Sequence, residues 1–151
     1  MPQSFGALYV HFVWSTKERA PILRPELRPR LFSYCGGILR HRKCVLLAAN
    51  GVLDHIHLLV SVHRTSTVSD LVRDVKADSS KWVHENFPEL RDFRWQDGYG
   101  AFSVGHAQLP ATEEYINDQE KHHGGDLSFK DAFLGFLHEH ELPYDERYIW
   151  D

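Results

Sequence analysis

The sequence predicts an α+β fold: a ferredoxin-like or RRM-like antiparallel sheet (βαββαβ) with helices on one face, followed by C-terminal helices. Three patterns favour it, namely strand-like alternation of apolar residues, apolar residues at helical spacing between those stretches, and short connections. With 151 residues, 42% of them hydrophobic, the chain has the usual size of one domain, so we expect a single domain over residues 1–151.

The first half of the chain predicts a strand, a helix and a hairpin. Aromatic and β-branched residues alternate over about residues 5–15, and apolar residues recur at helical spacing over 25–41. Strands are expected at 44–49 and 55–62. Asn50-Gly51 and a few more residues would join them as a hairpin, because Asn and Gly tolerate positive φ. The strand at 55–62 is apolar on both faces, which is typical of a central strand.

The second half predicts a helix, a strand and two more helices. Thr67 is expected to cap the second helix, and alternation over 93–105 predicts a fourth strand. Pro110 is expected to open the third helix, which Gly124-Gly125 would end, and Ser128 to cap the last.

Charge is unevenly distributed along the chain. The formal net charge is -4, yet residues 1–64 hold nine Lys/Arg against three Asp/Glu, and residues 65–151 hold eight against eighteen. Such asymmetry is a hint of an anionic partner. A solvated surface with uneven charge explains it equally well.

The N-terminus and the two cysteines bear on the compartment of the protein. The N-terminus lacks the pattern of a signal peptide and no apolar run is long enough to span a membrane, so we expect a soluble, cytoplasmic protein without a membrane partner. Cys35 and Cys44 have no paired spacing. They are expected to be inert, half-buried thiols.

Two histidines lie two residues apart on the predicted central strand. His55 and His57 therefore project from one face of the sheet, while Ile56 and Leu58 serve the other. Two imidazoles are common ligands of divalent transition metals. Two buried imidazoles would otherwise each need a polar partner. A second His-x-His pair, His138 and His140, is better explained by solvent exposure.

A tyrosine and a glutamine on the third predicted helix are candidates for the same site. Tyr115 and Gln119 are four residues apart and face the same way. A metal polarises a phosphodiester, with Mg²⁺ or Mn²⁺ the usual ions, and a tyrosine supplies a nucleophile. Alternatively, Tyr115 is part of a buried apolar stripe. Ser61, another candidate nucleophile, has no evident base, and His122 and His123 are explained as cations at a helix C-terminus.

Five segments resemble the single-tyrosine HUH transposases of small bacterial insertion sequences and the related REP-associated tyrosine transposases. They are HFVWSTKERAPIL (11–23), NGVLDHIHLLVSV (50–62), WQDGYGAFSVG (95–105), EEYINDQEKHH (113–123) and PYDERYIW (143–150). The resemblance implies His55, His57 and Gln119 as ligands of Mg²⁺ or Mn²⁺, and Tyr115 as the nucleophile. It further implies cleavage and rejoining of single-stranded DNA at hairpin-flanked sites through a 5′-phosphotyrosine, by homodimers in which the tyrosine helix often serves the partner subunit.

The resemblance also gives the basic first half a role. Hairpin phosphates would be gripped by basic residues, and Trp14 or another exposed ring would stack a base; the candidates are Lys17, Arg19, Arg40, Arg42 and Lys43. Departures from the family pattern are the acidic total, Gly100 where a bulkier aromatic is expected, and Gly105-His106 in place of a simpler turn.

Two other functions stay open on the sequence. One is a domesticated, non-catalytic binder of structured single-stranded nucleic acid. The other is a metal phosphoesterase that uses water, for which Asp54 or His106 would be the general base.

Overall fold

The computed structural model describes residues 2–119 and 129–151. Its centre is a four-stranded antiparallel sheet of order β2-β3-β1-β4. The strands are β1 (Tyr9–Ser15), β2 (Val45–Gly51), β3 (His55–Ser61) and β4 (Gly100–Val104). The helices are α1 (Arg28–His41), α2 (Val68–Asn86), α3 (Leu109–Asn117) and α4 (Phe129–Glu139). The α+β fold and the central position of β3 are confirmed.

Helices α1 and α2 cover one face of the sheet. Their apolar side chains pack against Phe12, Trp14 and Ile56 from β1 and β3. Trp14 is therefore a core residue, 1% exposed, and the expectation that it stacks a DNA base is wrong. Thr67 caps α2 as predicted, since its side chain accepts a hydrogen bond from the backbone N–H of Asp70.

The two cysteines belong to this same core. Cys35 and Cys44 are free and buried rather than half-buried. Burial raises the pKa of the Cys35 thiol to about 12, so that thiol is unreactive at neutral pH.

Helices α3 and α4 cover the opposite face. Val13 and Phe102 of the sheet form a second core with the buried side of α4, which contributes Phe129, Phe133 and Leu137. Among the residues described, no helix is long and apolar enough to cross a membrane. The predicted stop at Gly124-Gly125, the predicted cap at Ser128, and His122 and His123 lie outside the described residues.

The fourth strand begins at Gly100 rather than at residue 93. The segment before it meets the sheet only at the end of β1, where Trp95 forms an isolated bridge with Thr16 and the Gln96 N–H donates to the Ser15 carbonyl at 2.9 Å. Phe93 and Trp95 are buried in the first core. Lys76 Nζ donates hydrogen bonds to the carbonyls of residues 96, 97 and 98 at 2.8, 3.1 and 2.7 Å. These hydrogen bonds direct the carbonyls of residues 96–98 toward α2, so continuous pairing with β1 starts only at Gly100.

The two strands form the expected hairpin, but Asn50 and Gly51 belong to β2 rather than to the turn. β2 continues through Gly51, and no glycine in the described parts of the chain has positive φ. A Cβ at Gly51 would lie 2.5 Å from the His55 carbonyl oxygen, so glycine is needed here for close approach. The chain reverses direction over residues 52–54.

Candidate metal and nucleophile site

His55 and His57 lie side by side on the face of β3 that α3 and α4 cover. Their side chains are 1% and 0% exposed, and their ring centroids are 5.2 Å apart. Ile56 and Leu58 point into the opposite core. The predicted division of the strand between two faces is confirmed.

The His55 ring is oriented by the residue before it. Nδ1 of His55 lies 2.7 Å from Oδ1 of Asp54. The Thr16 N–H donates to the Asp54 carbonyl at 2.9 Å, which holds this turn against the end of β1. Burial raises the pKa of the Asp54 carboxyl, but the His55 hydrogen bond and charge, with Arg19, outweigh that effect, so its pKa lies below the usual value.

The His57 ring is oriented by a third histidine. Nε2 of His11 on β1 lies 2.9 Å from Nδ1 of His57. His11 pairs with Leu59 in the strand register, so it is the diagonal neighbour of His57 on the same face, within reach of a long side chain. Burial, with the charge of His140, lowers the pKa of His11 to about 4, so its imidazole is neutral at pH 7.

Tyr115 packs against both of these rings. Its ring centroid is 5.8 Å from that of His57 and 6.3 Å from that of His11. The helix that carries it is anchored on the sheet, since Asn50 Nδ2 donates to the carbonyl of Asn117 at 3.0 Å. Burial raises the pKa of the Tyr115 hydroxyl, and the Gln119 side chain offsets part of this rise. Tyr115 therefore reaches His57 within one chain.

Gln119 is helical and lies two residues past the end of α3, after a turn at Asp118. It still faces Tyr115, because Gln119 Nε2 donates to the Tyr115 carbonyl at 3.0 Å. The side chain is fully buried, and its Oε1 has no hydrogen-bond partner among residues 2–119 and 129–151. A buried amide oxygen without a partner is costly, and a cation would satisfy it.

These residues have the chemistry of a divalent-metal site. The donor set consists of two imidazole nitrogens and one amide oxygen, which suits Mn²⁺ and, less well, Mg²⁺. The part of the chain that is described contains no group of three or more His, Cys, Asp or Glu placed to hold a metal. A set of two histidines and a glutamine contains only two residues of those types.

The predicted DNA-binding residues form two groups. Lys17 and Arg19 follow β1, next to the end where Ser15 pairs with His55, and Lys17 Nζ lies 3.7 Å from an Asp97 carboxylate oxygen. The other three, Arg40, Arg42 and Lys43, are exposed where α1 meets β2, at the opposite end of β3. Arg42 is ion-paired with Asp74.

Of the remaining candidates, two lie at the far end of the sheet from His55, and two lie at the C-terminal end of α4. His106 packs on Tyr9 at 5.9 Å. Tyr9 pairs with Ser61, so both His106 and Ser61 lie at the far end of the sheet from His55. His138 is exposed as predicted, whereas His140 is half-buried and stacks on Phe102 at 5.1 Å.

Two polar contacts of the site were missed in the sequence. The sequence places His11 in an alternating strand and offers Asp54 as a candidate base, but neither pattern predicts these contacts. The sequence signal for His11 is its place two residues from Val13, on the same face of β1. Val13 packs against α4 on that face.

Comparisons with known proteins identify the family of the chain. Residues 4–119 match the family model described as "Transposase IS200 like". The chain is 23% identical over 117 residues to the ISDra2 transposase TnpA of Deinococcus radiodurans, covering 74% of this chain and 84% of the relative. It is 28% identical over 115 residues to the IS200 transposase of Salmonella typhimurium, covering 72% and 74%.

Solved structures share the fold. A crystal structure from Deinococcus radiodurans R1, described as a candidate transposase, superposes with a TM-score of 0.64 at 24% identity, covering 79% of this chain and 98% of that one. A REP-associated tyrosine transposase bound to a REP hairpin superposes with a TM-score of 0.61 at 16% identity, covering 82% and 73%. Because the family match spans residues 4–119, more than half of the chain, the chain belongs to the IS200-like transposase family.

Proposed function

We propose that this transposase cleaves and rejoins single-stranded DNA at hairpin-flanked sites through a 5′-phosphotyrosine on Tyr115. The observation that carries the proposal is the contact between the Tyr115 ring and His57, at 5.8 Å, beside His55 in one buried cluster. The proposed nucleophile and the proposed pair of metal ligands come from distant parts of the chain and are neighbours in this cluster. REP-hairpin binding by the structural neighbour supports hairpin DNA as the substrate.

The tyrosine performs the covalent step. The Tyr115 oxygen attacks the phosphorus of a phosphodiester, a new P–O bond to tyrosine forms, and the bond to the 3′-oxygen breaks. The phenol loses its proton and the departing 3′-oxygen gains one, so the products are a 5′-phosphotyrosine and a free 3′-OH. Attack by another 3′-OH reverses the step and rejoins DNA without an external energy source.

Burial of Tyr115 determines the protonation state of its phenol before the reaction. Because burial raises the pKa of the Tyr115 hydroxyl, the phenol is protonated at neutral pH and must lose its proton during the reaction. His55, His57 and Gln119 would hold a divalent metal, Mg²⁺ or Mn²⁺. When bound, such an ion polarises the phosphodiester and stabilises negative charge on its oxygens.

The basic residues would bind the DNA on either side of the chemistry. Lys17 and Arg19 lie at the His55 end of the sheet and would contact phosphates near the cleavage site. The group at the end of α1 (Arg40, Arg42 and Lys43) would contact phosphates of the hairpin at the other end. A homodimer joined through the edge strands β2 or β4 is part of the proposal, and light scattering of the purified protein tests it.

Substitution of Tyr115 tests the mechanism. Wild type, Tyr115→Phe and the matched control Tyr148→Phe, at an exposed tyrosine, are mixed with labelled single-stranded hairpin DNAs and Mg²⁺ or Mn²⁺. We expect a covalent protein–DNA band with wild type and the control, no band with Tyr115→Phe, and loss of the band with a chelator.

Two other outcomes would contradict the proposal in different ways. Hairpin binding without a covalent band, across all the DNAs, would identify a non-catalytic binder. Cleavage that persists in Tyr115→Phe would identify water as the nucleophile.

A further inference from the structure

Each histidine of the proposed metal pair has its Nδ1 in contact with another side chain. Nδ1 of His55 lies 2.7 Å from the Asp54 carboxylate. Nδ1 of His57 lies 2.9 Å from Nε2 of His11. Both rings thereby use the same nitrogen for orientation, and Nε2 is the remaining nitrogen on each.

The two contacts differ in what they require of the proton. A carboxylate only accepts, so the hydrogen in the first contact belongs to His55 Nδ1. Between His11 and His57 either ring can donate. If His57 Nδ1 donates, the neutral His57 ring has its lone pair on Nε2, where a metal can bind. If His11 Nε2 donates instead, the neutral His57 ring carries its hydrogen on Nε2 and cannot bind a metal through that atom.

The surroundings of His11 hold its ring in one place. His11 is 3% exposed, and the Phe136 ring meets it edge-on at 5.0 Å. The Phe102 and Tyr115 rings pack against it at 6.5 and 6.3 Å. A ring enclosed by aromatic side chains on several sides keeps Nε2 directed at His57.

We infer that His11 is a positioning residue for His57: its Nε2 accepts the Nδ1 hydrogen of His57 and holds that ring in the tautomer whose Nε2 lone pair faces a divalent metal. The inference rests on the metal-ligand role proposed above for His57. It assigns His11 the part that Asp54 plays for His55, with an imidazole in place of the carboxylate. Groups that orient a metal-bound histidine in this way typically contribute 10–100-fold to metal affinity.

The tautomer is measured first, on metal-free wild-type protein. Long-range ¹H–¹⁵N correlation spectra of ¹⁵N-histidine-labelled protein distinguish a protonated Nδ1 from a protonated Nε2. We expect His57 with hydrogen on Nδ1 and His11 with an unprotonated Nε2. A His57 ring with hydrogen on Nε2 overturns the inference, whatever the fate of any substituted protein.

Metal affinity is measured next, by titration with Mn²⁺ at pH 7.5 and detection of free Mn²⁺ by electron paramagnetic resonance. His11→Phe suits the aromatic surroundings but removes the acceptor, and we expect its affinity to fall about 10–100-fold. His11→Gln restores an acceptor near the position of Nε2 and should recover most of the loss. The control, His140→Phe, removes another half-buried imidazole and should bind within about twofold of wild type.

The outcomes separate this inference from the proposed metal site. If wild type binds Mn²⁺ and His11→Phe binds it equally well, the positioning role is wrong and the metal site stands. If wild type binds no Mn²⁺ while His55 and His57 are intact, the metal site itself is wrong, and the inference fails with it.

Discussion

His11 links the stability of the fold to pH. Its imidazole is buried among aromatic rings, and its Nε2 contacts Nδ1 of His57. Protonation would place a second hydrogen on a ring that has no solvent around it, so the folded protein resists protonation well below the pH at which an ordinary histidine gains charge.

We therefore expect stability to fall as the solution is acidified. The pKa of His11 is lowered from 6.5 to about 4, so between these values the unfolded chain binds a proton that the folded protein does not. Stability is present above pH 6.5 and is progressively lost toward pH 4. From pH 7 to pH 5 the loss from this group is about 2 kcal/mol.

Urea unfolding at pH 7 and pH 5 measures the effect. The free energy of unfolding of wild type should fall by about 2 kcal/mol more than that of His11→Phe, which lacks the titrating group. An equal fall in both proteins would contradict the assignment.

At the scale of the element, the end of α1 combines an unfavourable backbone conformation with a proposed DNA contact. Lys43 has φ of 64°, in the left-handed region that favours glycine, at the position after the helix where glycine is common. A lysine there costs about 1 kcal/mol relative to glycine in the folded state. Its side chain is exposed, and a phosphate contact would account for it.

Substitution of Lys43 separates the two effects. Lys43→Gly should raise the free energy of unfolding by about 0.5 kcal/mol, since relief of strain exceeds the added freedom of the unfolded chain. Lys43→Ala keeps a Cβ and should not be stabilised. Both should weaken hairpin binding and reduce its salt dependence, as measured by fluorescence anisotropy at several salt concentrations. Unchanged binding by both variants would remove Lys43 from the interface.

At the scale of the whole molecule, the sheet lies between two layers of helices that cover different kinds of side chain. The layer of α1 and α2 contributes an apolar core, whereas the layer of α3 and α4 encloses the histidines. Gly100 on β4 lies where this second layer is tightest. A Cβ there would be 2.8 Å from both Phe102 and Phe133, so the aromatic residue expected at this position has no room.

Gly100→Ala should therefore displace α4 from the sheet. We expect a loss of about 1–3 kcal/mol in the free energy of unfolding, because two aromatic rings must shift. The matched control is Gly135→Ala on α4, where an added Cβ meets nothing within 4 Å. It should be stabilised by about 0.5–1 kcal/mol, as expected for alanine in a helix. Thermal unfolding by circular dichroism compares the two.

Residue periodicity and the motifs determined much of this protein in advance. The strand and helix order, the shared face of His55 and His57, and the cap at Thr67 follow from local spacing and local hydrogen bonding, and they are confirmed. The family resemblance named Tyr115 and Gln119 as partners of that pair, and the metal site and its chemistry remain predictions.

Only the tertiary structure decided which side chains complete the cluster. The contact between His11 and His57 depends on the register of β1 against β3, and the approach of Tyr115 depends on the packing of α3 over β2 and β3. Two expectations are wrong because of contacts between distant segments. Trp14 lies on the predicted strand but is buried under the helices, and the carbonyls of residues 96–98 accept hydrogen bonds from Lys76 of α2 where a longer β4 was expected. Local sequence sets which face a side chain takes, but contacts between distant segments are set by how the layers pack.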